Sequence, residues 1–150
     1  MQFSIKRTDS VNLDFIELVK HLDLELAEID GEEHNFYAQY NKVDKIKHVV
    51  LVYDGNKPIA CGAIKEFSPQ IMEVKRMFTQ SQYRGKGLAS MLLAELEKWA
   101  KEMHYERCVL ETGKRQQDAV ALYQKNDYLI TPNYGQYIGV DNSICFAKTL

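Results

Sequence analysis

The sequence predicts an α/β fold of the α+β kind: one domain over residues 1–150, with a mixed, mostly antiparallel sheet and helices on both faces. Three observations lead there. Strand-like stretches at 48–53, 58–67 and 70–79 follow one another across short turns, and strands joined in that way are antiparallel neighbours. The stretch 70–112 then reads strand, glycine-rich loop, long amphipathic helix, strand, which calls for a right-handed crossover and a parallel pair. Finally, 150 residues with 45% hydrophobic and 27% charged side chains suit one domain with a real core.

In chain order, residues 2–6 (QFSIK) alternate polar and apolar, as a strand with one covered face does. Asp9 or Ser10 is a suitable N-cap for a helix in which Val11, Phe15, Leu18, Val19 and Leu22 recur at helical spacing. Leu24, Leu26 and Ile29 prolong it or start a second helix, and Gly31 interrupts. A short helix over 33–41 would carry Phe36, Tyr37 and Tyr40 along one side. Asp54-Gly55 signals the turn of a hairpin, and Ser68-Pro69 breaks the chain before the third strand. After the glycine loop, Leu88, Met91, Leu92, Leu96, Trp99 and Met103 form a broad apolar stripe suited to lying on a sheet. A strand over 105–112 ends at Gly113. A last helix over 115–126 turns Ala119, Val120, Leu122 and Tyr123 inward, and strands near 128–131 and 142–149 are joined by TPNYGQYIGVD.

Composition excludes several classes. The net charge is −2 with signs interspersed, which argues against a nucleic-acid binder. No apolar run approaches the roughly 20 residues that span a bilayer. The N-terminus has no signal-peptide core, so the cytoplasm is the expected compartment. Cys61, Cys108 and Cys145 lie far apart in apolar runs, and His21, His34, His48 and His104 show no ligand spacing. Buried reduced thiols and no metal are expected. An acidic cluster (Asp23, Glu25, Glu28, Asp30, Glu32, Glu33) reads as a solvated face, or as a field that attracts cationic substrates.

The stretch with the most chemistry is Glu73 to Ala100. Gly85 and Gly87 fall where a loop becomes a helix, so unpartnered backbone N–H groups and the positive end of the helix dipole face outward. Such a junction holds phosphate or pyrophosphate, and Arg84 adds a fixed positive charge. The loop lacks the third glycine of the dinucleotide fingerprint and lies mid-chain, after a hairpin. No Gly-x4-Gly-Lys-Ser/Thr occurs either, so both nucleotide readings are minor.

QYRGKGLA (82–89), preceded by MFT (77–79) and followed by a long helix, resembles the Arg/Gln-x-x-Gly-x-Gly/Ala signature of the GNAT superfamily of acetyl-CoA-dependent N-acetyltransferases. Ala119-x-x-Leu122-Tyr123, four residues before Asp127-Tyr128, is a second match, and the order βααβββαβαββ fits nearly the whole chain. The resemblance implies that backbone amides of Arg84, Gly85, Lys86, Gly87, Leu88 and Ala89 hold the pyrophosphate of coenzyme A. It implies that the strand edge at Met77, Phe78 and Thr79 pairs with the pantetheine amides. The strands on either side of the glycine helix would splay to admit that arm. Tyr123 takes the place of a tyrosine near the thioester sulfur, and Glu73 that of a glutamate general base. Gln116 stands where an asparagine is frequent, Ser81 where a proline is, and Asp127 replaces a glycine whose φ > 0 role Asn126 could assume. Tyr134, Gly135 and Tyr137 fall in the loop that walls the acceptor side.

The chemistry asks for the same residue types. An amine arrives as an ammonium, so a carboxylate must take its proton, and burial beside aromatic rings would raise that carboxylate into a useful range. A tyrosine with a pKa of about 10 can donate to the leaving thiolate while staying neutral. No Ser-His-Asp or Cys-His arrangement suggests itself, so direct transfer is expected. The expected function is therefore transfer of an acetyl group from acetyl-CoA to a primary amine, the acidic cluster mildly favouring a cationic acceptor; association as a homodimer stays open. Two other classes are a non-catalytic acyl-CoA-binding regulatory module and a plain interaction domain.

Overall fold

A computed structural model of the chain describes residues 2–33 and 45–150. Its strands are β1 Phe3–Thr8, β2 His48–Asp54, β3 Lys57–Ser68, β4 Ile71–Thr79, β5 Arg107–Gly113, β6 Leu129–Thr131 and β7 Ser143–Thr149. The α-helices among the described residues are α1 Leu13–Asp30, α2 Leu88–Glu102 and α3 Gln117–Lys125. The seven strands make one sheet in the order β1-β2-β3-β4-β5-β7-β6. Every pairing is antiparallel except β4 with β5. This is the mixed sheet the sequence predicts.

The period of two along β2 sorts the layers. Val49 and Leu51 join Phe15, Leu18 and Leu22 of α1, with Cys61 and Phe78, in one buried cluster. Val50 and Val52 face the other way, into a cluster with Leu92 and Leu96 of α2, Tyr123 of α3 and Phe146 of β7. Helices therefore cover both faces. The three cysteines are buried free thiols. No helix among the described residues is long and apolar enough to cross a membrane.

Local chemistry shifts several expected details. The N-cap of α1 is Asn12, whose Oδ1 accepts from the N–H groups of Asp14 (2.9 Å) and Phe15 (3.1 Å), while Asp9 closes a turn onto the Val11 N–H. Val11 thus precedes the helix and is 76% exposed rather than part of its stripe. The helix runs unbroken to Asp30, where Gly31 in a left-handed conformation (φ +56°) bonds back to the Ala27 carbonyl. Beyond Glu33, the short helix expected over 33–41 lies outside the described residues. On α2 the buried arc holds Leu88, Leu92, Leu96, Ala100 and Leu93. At about 100° per residue Met91 falls beyond its edge, and it is exposed. After α3 it is Asp127, not Asn126, that takes positive φ (+71°). Asn126 stays at φ −96° because its side-chain amide is engaged, donating to the Leu122 carbonyl and to Ser90 Oγ. Tyr128 is nevertheless buried, its hydroxyl donating to Glu97 at 2.9 Å.

Two irregularities open the site. β4 and β5 pair only over Ile71–Glu73 and Arg107–Val109. Beyond that, β4 follows β3 to Thr79 and β5 follows β7 to Gly113, so the two strands part. Within β4 a bulge sets Arg76 and Met77 against the single residue Gly62, with Arg76 at φ +59°. A Cβ on Gly62 would come within 2.5 Å of the Met77 sulfur, so a larger residue opposite the bulge would have to displace the Met77 side chain.

Candidate active site

Beside the parted strands an outer cleft of about 650 Å³ lies among α1, the end of β4, the start of α2 and α3. Met77, Phe78 and Thr79 of β4 line one wall, and Gln116 and Tyr123, at the start and within α3, line the other. Arg84, Gly85, Gly87, Leu88 and Ala89 form its mouth. Gly85 (φ +80°) and Gly87 (φ +79°) hold a conformation that L-residues enter at a cost, and nothing stands where their Cβ atoms would be. Gly87 is the N-cap of α2 and offers no side-chain acceptor, so the first-turn N–H groups have no side-chain cap. That is an anion site by ordinary helix physics. Arg84 lies over the Phe78 ring, donating from Nε to the Thr79 carbonyl (2.9 Å) and from a terminal nitrogen to both oxygens of Glu25 (2.8 and 3.0 Å).

A smaller inner cavity of about 90 Å³ is lined by Glu73, Lys75 and Arg76 of β4, Glu111 of β5, Asp30 of α1, and Tyr137. Cleft and cavity share Met77, Gln116 and Tyr123 among their walls, so Tyr123 stands where they meet. Its ring packs against Tyr128 and Phe146, and burial pushes its phenol well above the usual tyrosine range. It is therefore a neutral donor at any ordinary pH.

Two of the cavity's three acids, Glu73 and Glu111, differ in their partners. Glu73 accepts the Tyr134 hydroxyl at 2.6 Å and has the Lys75 ammonium at 3.7 Å. Glu111 accepts the Ser143 hydroxyl at 2.7 Å. Burial, helped by the charges of Asp30 and Glu73, pushes the Glu111 carboxyl up to about 7, while the Ser143 hydrogen bond and Lys75 pull the other way. Burial likewise lowers the Lys75 ammonium, against the pull of Glu73.

The residues singled out from the sequence divide between these two spaces. Met77, Phe78, Thr79, Arg84, Gly85, Gly87, Leu88, Ala89, Gln116 and Tyr123 line the cleft, and Glu73 and Tyr137 line the cavity. Tyr134 sits behind Glu73, edge-on to Phe67 and Tyr137. Lys86 is exposed and off the cleft wall. Glu111, Lys75, Arg76 and Ser143 are what the sequence reading lacked. The available signal was Glu111 as the one acid within the apolar run CVLET, and the period-two pairing of Glu73 with Lys75 on one strand face. The acidic cluster lies largely on an exposed face, as the solvated-face reading has it, with part of its charge paired. Asp23 binds Arg76, Glu25 binds Arg84, Glu33 binds Arg115, and the Asp30 carbonyl takes Arg115 as well.

An open glycine cradle leading to a tyrosine between parted strands defines a class, and the comparisons agree on it. Residues 15–128 match the model of the acetyltransferase (GNAT) family, and the chain belongs to that family. It is accordingly an acyl-CoA N-acyltransferase. Its sequence is similar to the IAA acetyltransferase of Azospirillum brasilense, 30% identical over 125 residues and 81% of each chain. Its fold is similar to the crystal structure of a proposed acyl-CoA N-acyltransferase from Klebsiella pneumoniae, with TM-score 0.84 and 25% identity over 99% of this chain and 98% of that one. The PaiA N-acetyltransferase of Thermoplasma acidophilum, solved in complex with coenzyme A, aligns with TM-score 0.77 over 100% of both chains; at 17% identity that likeness concerns the fold.

Proposed function

We propose that this single domain transfers an acetyl group from acetyl-CoA directly to a primary amine of a small molecule, peptide or protein. The observation that carries this is Tyr123, a buried neutral phenol at the junction of a cleft sized for an extended cosubstrate and a cavity lined by the carboxylates of Asp30, Glu73 and Glu111. The cleft suits acetyl-CoA for reasons of its own chemistry. The amides from Arg84 to Ala89 receive the pyrophosphate, and the β4 edge at Met77, Phe78 and Thr79, unpaired toward β5, accepts the pantetheine as an added strand.

The proton bookkeeping falls to the two sides of that junction. Glu111, near its midpoint at neutral pH, takes the proton from the incoming ammonium. Glu73, braced by Tyr134 and Lys75, is a second carboxylate of the site, holding the ammonium and fixing the acceptor loop through Tyr134. As the C–N bond forms and the C–S bond breaks, Tyr123 gives its hydrogen bond to the departing sulfur; any proton it passes on to make the thiol is replaced by the second proton that the nitrogen sheds as the amide forms.

Calorimetric titration with acetyl-CoA, followed by a primary-amine panel read by thiol release, tests this. Micromolar binding and turnover of some amine are expected, and Tyr123→Phe should lower turnover by about 10- to 100-fold while still binding acetyl-CoA. Binding without turnover of any amine would favour a regulatory module. No binding would defeat the proposal outright.

A further inference from the structure

The residue this mechanism leaves unused is Arg76. It occupies the bulge of β4 at φ +59°, a left-handed conformation that a side chain such as arginine rarely adopts. The bulge turns the side chain under α1, where it is 1% exposed. A buried guanidinium requires acceptors for its N–H groups. One terminal nitrogen has Asp23, a carboxylate that is itself 53% exposed. The Nε–H is buried and has no partner among the described residues. Buried donors left unpaired are rare and cluster at working sites.

The surroundings of that donor are specific. Arg76 lines the same inner cavity as Lys75, Glu73, Glu111 and Tyr123. Glu73 is committed to Tyr134 and Lys75, and Glu111 accepts from Ser143. The cavity is therefore lined by carboxylates for an ammonium and by an arginine whose Nε–H lacks an acceptor among the described residues. A plain amine brings only donors and cannot satisfy it. An amine that also carries a carboxylate can, through a charge-assisted bond. With about 90 Å³ available, the two groups must lie close together, as they do in an α-amino acid.

We propose that the acceptor is an amino acid, its carboxylate bound by the Nε–H of Arg76 and its ammonium turned toward Glu73 and Glu111. The inference rests on the inner cavity being the acceptor side of the acetyltransferase proposed above. Arg76 is then the residue that decides specificity, separating amino acids from the amines left when their carboxylate is removed.

The test compares matched pairs with the whole protein and acetyl-CoA: phenylalanine against phenethylamine, leucine against 3-methylbutylamine, histidine against histamine. For the pair whose side chain is accepted, kcat/KM should favour the amino acid by on the order of 10- to 100-fold, the worth of a hydrogen bond to a charged group. Arg76→Gln should shrink that ratio, mainly through KM of the amino acid, and Arg76→Lys should restore part of it. Should the variants not fold, as circular dichroism would report, the wild-type ratios decide alone. Equal rates within every pair, or preference for the plain amines, would mean that Nε is satisfied by internal water and overturn this inference while leaving the acetyltransferase intact. Absence of acetyl-CoA binding and of turnover with any amine would overturn both.

Discussion

The outer cleft and the inner cavity adjoin at Tyr123 yet are built on opposite plans. The cleft relies on backbone: two glycines at positive φ, the uncapped first turn of α2, and a strand edge released by the splay of β4 from β5. Its side chains matter mainly as walls. The cavity relies on side chains that five separate segments bring together, with Asp30 from α1, Glu73 to Arg76 from β4, Glu111 from β5, Tyr123 from α3, and Tyr137 from the loop before β7. Backbone recognition suits a cosubstrate whose phosphates and amides do not vary. Side-chain recognition suits an acceptor that does, and it is the cheaper part to change without disturbing the fold.

Three substitutions sharpen or break that division. Glu111→Gln should have the largest effect, lowering turnover by on the order of 10²- to 10⁴-fold while leaving acetyl-CoA affinity within about threefold, because it removes the proposed base from the cavity and touches nothing in the cleft. The same variant should melt at a higher temperature than wild type at pH 8. The sign follows from linkage: the folded protein holds the Glu111 proton more tightly than the unfolded chain, so this carboxyl costs stability as pH rises toward and past about 7. Gly87→Trp should do the reverse, weakening acetyl-CoA by about 100-fold in calorimetry, since a side chain would enter the cradle and strain a residue at φ +79°.

Glu25→Gln should give the smallest change. Arg84 is held by Glu25 and by the Thr79 carbonyl, a group on the very edge assigned to pantetheine. The pair is half exposed and worth little by itself. Releasing it should tighten acetyl-CoA about two- to fivefold, more at low salt than at high. A loss of affinity instead would show that Glu25 orients Arg84 for phosphate rather than competing for it.

The same contrast explains what could be read in advance. Apart from Leu22, Glu25, Leu26 and Ile29 of α1, the cleft is drawn from two stretches, 77–90 and 115–125, and its signals are glycine spacing, strand-to-helix order and a tyrosine at fixed distance from the helix end. All of these survive as one-dimensional pattern. The cavity is defined by pairings across the sheet, and Glu111 shares no local signal with Glu73: the two meet because β5 runs parallel to β4 for three residues and then departs. The acidic run of α1 misled for a related reason. Counting its charges could not reveal that arginines 53 to 82 residues away, Arg76, Arg84 and Arg115, would each take one of them. Nor does period-two patterning foresee the bulge that sets Arg76 under α1, since a single extra residue on one strand shifts every later side chain.

The proposed mechanism requires Glu111 to be the proton acceptor, and the most direct measurement is the pH dependence of kcat/KM from pH 5.5 to 9, in wild type and in Glu111→Gln. A base must be ionised to act, so wild-type activity should climb through a midpoint near pH 7 and level above it. In Glu111→Gln that limb should vanish along with most of the rate. If the variant keeps the limb, the proton goes to another group, Glu73 foremost, and the division of labour between the two carboxylates drawn above is wrong.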